Sequence, residues 1–98
     1  MALTIDPEQN EIRALKDVTD WRGKRVLELG CGGGRLTLRL AGLGARVHAR
    51  DSDAKLIANA RKNLPTQFAG RVRFRAGYAE KLDHRDNAFD AVVFAWSL

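Results

Sequence analysis

The stretch Lys24-Arg25-Val26-Leu27-Glu28-Leu29-Gly30-Cys31-Gly32-Gly33-Gly34 decides the fold. Val26, Leu27 and Leu29 place apolar side chains on both parities, as in a strand buried on both faces, and residues 24–30 are read as that strand. Three consecutive glycines end it, because glycine opens backbone angles closed to other residues. Leu36, Leu40 and Leu43 then mark a helical stripe, ended by Gly42 and Gly44. A buried strand that passes through a glycine turn into a helix predicts an α/β unit.

The flanking sequence continues this pattern. Upstream, Asp6-Pro7-Glu8-Gln9 has the residues of a helix start, and the spacing of Ile12, Leu15 and Val18 predicts a helix over 7–18. Downstream, residues 45–50 form a second short strand. Asp51-Ser52-Asp53 follows, and either Ser52 or Asp53 can cap a helix in which Leu56, Ala60 and Leu64 recur and which Pro65 closes. Residues 71–76 alternate strictly. Val72, Phe74 and Ala76 face one way and Arg71, Arg73 and Arg75 the other, which predicts a strand with one solvated face at a sheet edge. Residues 89–95 are apolar on both parities apart from Asp90, as in a central strand. The order α-β-α-β-α-β-loop-β predicts a parallel sheet with right-handed crossovers.

Composition bounds the function. The chain has 98 residues, 45% apolar and 30% charged, an ordinary globular balance that allows one domain. The longest apolar run, 91–96, is far short of the ~20 residues that span a bilayer. Asp6, Glu8 and Glu11 crowd an N-terminus without an apolar stretch, so no secretory signal is expected there. The one cysteine, Cys31, excludes an intramolecular disulfide and fits a reducing compartment, so a cytoplasmic location is expected. The net charge is +5, but the cations are scattered with no run of five, which reads as a solvated surface and does not indicate nucleic acid.

The chemistry sits at two places about twenty residues apart: the glycine loop and Asp51. Both fall at the carboxyl ends of neighbouring strands, where open α/β sheets bind ligands. The loop lets main chain approach a ligand, and the acid can accept hydrogen bonds from ribose hydroxyls. A dinucleotide fingerprint would need glycine at 35, which is Arg35, so an NAD-dependent oxidoreductase is disfavoured. The pattern present is G-x-G-x-G at Gly30, Gly32 and Gly34, with Glu28 two residues earlier.

That pattern resembles the class I S-adenosylmethionine-dependent methyltransferases, whose first motif reads V-L-D/E-x-G-C-G-x-G. Gly77-Tyr78-Ala79-Glu80 and Phe89-Asp90-Ala91-Val92-Val93 extend the likeness over residues 21–98. The resemblance implies a Rossmann-like α/β fold with a doubly wound parallel sheet. Counted from the strand at 24–30, its strand order would be 3-2-1-4, without the later strands of the seven-stranded family fold. It divides the chain into an N-terminal helix at 1–20 and an S-adenosylmethionine-binding domain at 21–98, truncated after the fourth strand.

The resemblance also implies the site. Gly30, Cys31, Gly32 and Gly34 would form the cofactor loop, with Glu28 near the methionine ammonium. Asp51, with Ser52 beside it, would hold the ribose. Tyr78 and Ala79 would take the adenine, and Ala95, with Trp96, would cover the sulfonium end. The family commonly has Asp where this chain has Tyr78. A phenol accepts a hydrogen bond without the charge, its ring can stack, and Glu80 can take over. The implied function is methyl transfer to an unknown acceptor. The alternative is a non-catalytic S-adenosylmethionine-binding fragment that needs a further segment or partner chain. The catalytic base is unknown. No membrane partner is expected, and self-association is expected through the edge of the strand at 89–95, which carries neither Lys nor Pro.

Plainer roles compete for several residues. Cys31 reads as a small residue filling the loop, Trp21 as packing, and Asp90 as a cap at a strand entrance. His48 and His84 have no metal-ligand spacing, so no metal is expected.

Overall fold

Among the described residues five short parallel strands form one sheet. The structure, a computed structural model, describes residues 2–4, 11–77 and 89–95. The elements are β1 (Ala2–Thr4), α1 (Glu11–Val18), β2 (Arg25–Leu29), α2 (Arg35–Gly42), β3 (Arg46–Asp51), α3 (Ala54–Lys62), a 3-10 turn (Thr66–Phe68), β4 (Val72–Ala76) and β5 (Ala91–Phe94). The sheet order is β1-β5-β2-β3-β4, every pair parallel. The run β4-β3-β2-β5 within it is the 3-2-1-4 order expected from the sequence, with the chain wound outward from β2 in both directions.

The register sets one face of the sheet against the helices. Val47 pairs with Val26 and Val72, and Ala49 with Glu28 and Phe74, while Ala91 and Val93 pair with Val26 and Glu28 from the other side. Onto the apolar side chains of these rows α2 lays Leu36, Leu40 and Ala41, and α3 lays Ile57 and Ala60, all within one core cluster. Each fully buried side chain of leucine size contributes about 1.5–3 kcal/mol. Helix α1 joins the same core through fully buried Leu15, and the indole Nε1 of Trp21 donates to the Leu15 carbonyl at 2.7 Å.

Two polar contacts close the sheet's ends. Asp90 and Arg25 exchange bonds at the entrance to β5 and β2. The Asp90 N–H donates to the Arg25 carbonyl at 2.7 Å, and the Arg25 N–H donates to Asp90 Oδ2 at 2.8 Å. At the β4 edge, the Arg61 guanidinium forks onto the Phe74 carbonyl at 2.9 and 2.7 Å, occupying an acceptor that an edge strand would otherwise offer to another chain.

The structure corrects several expectations. The strand at 89–95 does not have an open edge, because Ala2, Leu3 and Thr4 pair with Val92, Val93 and Phe94. Residues 1–20 therefore hold a strand as well as a helix. The helical start at Asp6-Pro7-Glu8-Gln9 lies outside the described residues. Helix α3 buries Ile57 and Ala60 and leaves Leu56 40% exposed, because the axis rotates the i+4 stripe towards Ile57. At β4 the buried alternation ends at Phe74, and Ala76 is exposed. Arg71 is not simply solvated: its Nη1 donates to the Ala41 carbonyl at the end of α2 at 2.9 Å, and its guanidinium lies over the Phe68 ring.

Candidate functional site

The carboxyl ends of β2 and β3 are stitched together by the glycine loop. The Gly30 and Cys31 N–H groups both donate to the Arg50 carbonyl, at 2.8 and 3.1 Å, which turns the chain off β2 towards β3. The Gly34 N–H donates back to the Cys31 carbonyl at 2.9 Å, closing the turn at the start of α2.

Asp51 and Asp53 divide the work expected of the acidic triplet. Asp53 is the helix cap, with Oδ1 accepting from Lys55 N at 2.9 Å and Leu56 N at 3.2 Å. That leaves Asp51 to face the glycine loop. Its Oδ2 accepts from Gly32 N at 2.8 Å, and its Oδ1 from Asp53 N at 2.9 Å. Ser52 beside it is exposed.

The outer strands end at the same level. The Gly77 N–H donates to the Asp51 carbonyl at 2.7 Å, and Arg50 Nη1 donates to the Gly77 carbonyl at 3.2 Å. Gly77 thus sets the point from which Tyr78 and Ala79 depart; both lie outside the described residues, as do Glu80 and Trp96. On the other side the Ala95 N–H donates to the Leu29 carbonyl at 2.8 Å, holding Ala95 at the end of β2. Gly30, Cys31, Gly32, Asp51, Ser52 and Ala95 are therefore gathered at one end of the sheet.

Two glycines of the loop have different physical reasons. Gly32 has φ 55°, and a Cβ placed there meets nothing within 4 Å among the described residues, so on that side its backbone is open to them. Gly34 has φ 90°, and a Cβ there would stand 2.8 Å from Phe74 Cζ. Gly34 lets α2 pack closely on the sheet, whereas Gly32 leaves its backbone approachable.

Glu28 is fully buried and its Oε1 accepts the Thr37 hydroxyl, which ties β2 to α2. The carboxyl lies against the helix and is closed to solvent. The sequence reading missed Thr37. The signal for it was Glu28 itself, since a buried acid needs a polar partner and Thr37 stands where the next helix crosses the strand. Cys31 is 7% exposed, and its thiol is pushed up to about 12, first by burial and then by the charges of Glu28 and Asp51. It stays a thiol at neutral pH and packs as a small apolar group, not as a nucleophile. Among the described residues no group of three or more His, Cys, Asp or Glu side chains could hold a metal ion, and no helix is long and apolar enough to cross a membrane.

A glycine loop between a central parallel strand and a helix, faced by an acid on the neighbouring strand end, defines a Rossmann-like α/β ligand-binding domain. Residues 26–98 match the methyltransferase domain family, and the chain belongs to that family. It is 40% identical over 79 residues to a magnesium-protoporphyrin O-methyltransferase from Rhodobacter capsulatus, covering 81% of this chain and 34% of that protein. It is 41% identical over 81 residues to a ubiquinone/menaquinone biosynthesis C-methyltransferase from Azotobacter vinelandii, covering 79% and 32%. The glycopeptide N-methyltransferase MtfA, solved in complex with S-adenosyl-L-methionine, superposes with a TM-score of 0.73 at 32% identity, covering 91% of this chain and 41% of that one. The chain thus spans about a third of the length of these curated relatives.

Proposed function

We propose that this chain is the S-adenosylmethionine-binding part of a cytoplasmic methyltransferase. The observation that carries the proposal is the Gly32–Asp51 contact at a loop whose Gly32 backbone no described residue covers on its Cβ side. A nucleoside fits there. Each Asp51 oxygen accepts one main-chain N–H and keeps a second lone pair for a ribose hydroxyl. The space beside Gly32, which a Cβ would fill, admits the ligand's approach.

In this proposal Gly30, Cys31, Gly32 and Gly34 form the loop, Gly34 by allowing α2 to close on the sheet. Asp51 and Ser52 hold the ribose, Tyr78 and Ala79 the adenine, and Ala95 lies at the sulfonium end. Glu28, two residues before the loop, lies at the methionine-ammonium end and also steadies α2 through Thr37. When bound, the cofactor supplies a methyl group on a sulfonium, which needs alignment with the acceptor more than acid–base help. The relatives named above are O-, C- and N-methyltransferases, so we assign the donor site and leave the acceptor and its base unassigned.

Native mass spectrometry of the purified chain tests this. A bound mass of S-adenosylmethionine or S-adenosylhomocysteine supports the proposal. A folded chain that stays free of added S-adenosylmethionine overturns it.

A further inference from the structure

Arginines that are scattered in the sequence meet on the sheet face opposite α2 and α3. Alternation sends Val47, Ala49, Val72 and Phe74 to the helix side, so the intervening residues of β3 and β4 share the other side. The register places His48 beside Arg73 and Arg50 beside Arg75, with Arg46 at the start of the same row on β3, beside Arg25 of β2. Arg46, His48, Arg73 and Arg75 are exposed. Within β3 and β4 the only acid is Asp51, at the carboxyl end of β3. At the β4 edge, Arg61, Arg73 and Arg75 rim a recess of about 300 Å3 that also involves Leu64, Val72 and Phe74.

A second layer of apolar structure does not suit this face, because it would desolvate guanidinium groups, and within β3 and β4 the one acid is Asp51 at the strand end. A bilayer surface suits it less, because interfacial binding needs a broad exposed apolar face, and the aromatic ring on this side, Phe89, is packed edge-on against His48 at 5.3 Å. A chain of phosphates does suit it. Side chains on one face of a strand recur about every 6.6–6.8 Å, and neighbouring strands lie about 4.7–4.9 Å apart, so the cations form a rigid two-dimensional array. The cations of the array are arginines without lysine. Arginine's planar fork matches phosphate oxygens two at a time, and its plane also stacks on bases.

We infer that the β3–β4 face formed by Arg46, Arg73 and Arg75 binds the phosphate backbone of a nucleic acid. The inference does not rest on the methyl-donor site, which lies at the strand ends. The test is fluorescence anisotropy of a labelled oligouridylate of about 20 nucleotides titrated with the chain. Binding is expected in the micromolar range, weakening about twentyfold between 50 and 200 mM salt if three phosphates are neutralised. The variant Arg46→Gln/Arg73→Gln/Arg75→Gln should bind at least about tenfold more weakly at 50 mM salt. Its circular dichroism should be unchanged, since all three side chains are exposed. The Arg→Lys triple should keep the salt dependence. No binding at about 100 μM chain, binding indifferent to salt, or unchanged affinity in the glutamine variant overturns the inference. So does capture by phosphatidylserine vesicles without binding of the oligouridylate.

Discussion

The Asp51 carboxylate accepts the main-chain N–H of Gly32 at 2.8 Å across nineteen residues of sequence. One strand end therefore holds the loop of the neighbouring strand in place. Such preorganisation reduces the ordering that binding would otherwise require. It also gives Asp51 two consequences that mutation can separate: the shape of the loop and the grip on a ribose.

The two loop glycines should fail differently. Gly34→Ala combines a left-handed backbone with a Cβ 2.8 Å from Phe74 and should cost about 2–4 kcal/mol of stability. Gly32→Ala meets no described neighbour and should cost only the backbone strain, about 1–2 kcal/mol. Urea melts of the two variants check this. Equal losses would remove the packing role assigned to Gly34. Gly32→Val should keep the fold and lose the ligand.

Acid should loosen the entrance to β2 and β5. The Arg25 N–H and guanidinium hold the Asp90 carboxyl below its usual value of 3.8. A carboxylate depressed in the folded state stabilises above its unfolded pKa, and that contribution is lost as pH falls through the lowered value. The stability gap between wild type and Asp90→Asn should therefore be full at about pH 5 and shrink below about pH 4. Asp20, held at about 2 by Arg22, acts in the same window, so the comparison is between variants and not along one curve. A gap that does not change with pH would contradict the Arg25–Asp90 assignment.

Strand β1 should control self-association. Its three residues cover the edge of β5, and Asp90 is the only charged residue between positions 89 and 95. Removing residues 1–4 reopens that edge, and the shortened chain should associate at micromolar concentration while the full chain does so less. Light scattering of the two side by side decides it. Equal scattering would mean that β1 does not guard the edge.

Much of this was legible in the residues. The central strand, the glycine turn and the edge strand were legible as a parallel α/β sheet, because a strand buried on both faces and one with a solvated face leave distinct patterns, whereas the 3-2-1-4 order came from the family resemblance. The pairing of Ala2–Thr4 was not legible, since three residues carry no period. Leu56 misled because one i+4 stripe fits two rotations of a short helix, and only packing chose Ile57. At the site, Gly30–Gly34 and Asp51 announced themselves by type and spacing. The division of roles between Gly32 and Gly34 did not, because it depends on Phe74, forty residues from Gly34 in the chain. The Arg46–Arg73–Arg75 surface escaped for the same reason: register gathers what sequence scatters.

Calorimetric titration of the chain and of Asp51→Ala with S-adenosylmethionine tests the central claim most directly. The intact chain should bind, and NADH should not compete. Loss of charge-assisted hydrogen bonds worth about 1.5–3 kcal/mol should weaken Asp51→Ala by roughly ten- to hundredfold. No heat of binding from the folded chain, or the same affinity in Asp51→Ala, would contradict the assignment of the Gly30–Gly34 loop and Asp51 as the cofactor site.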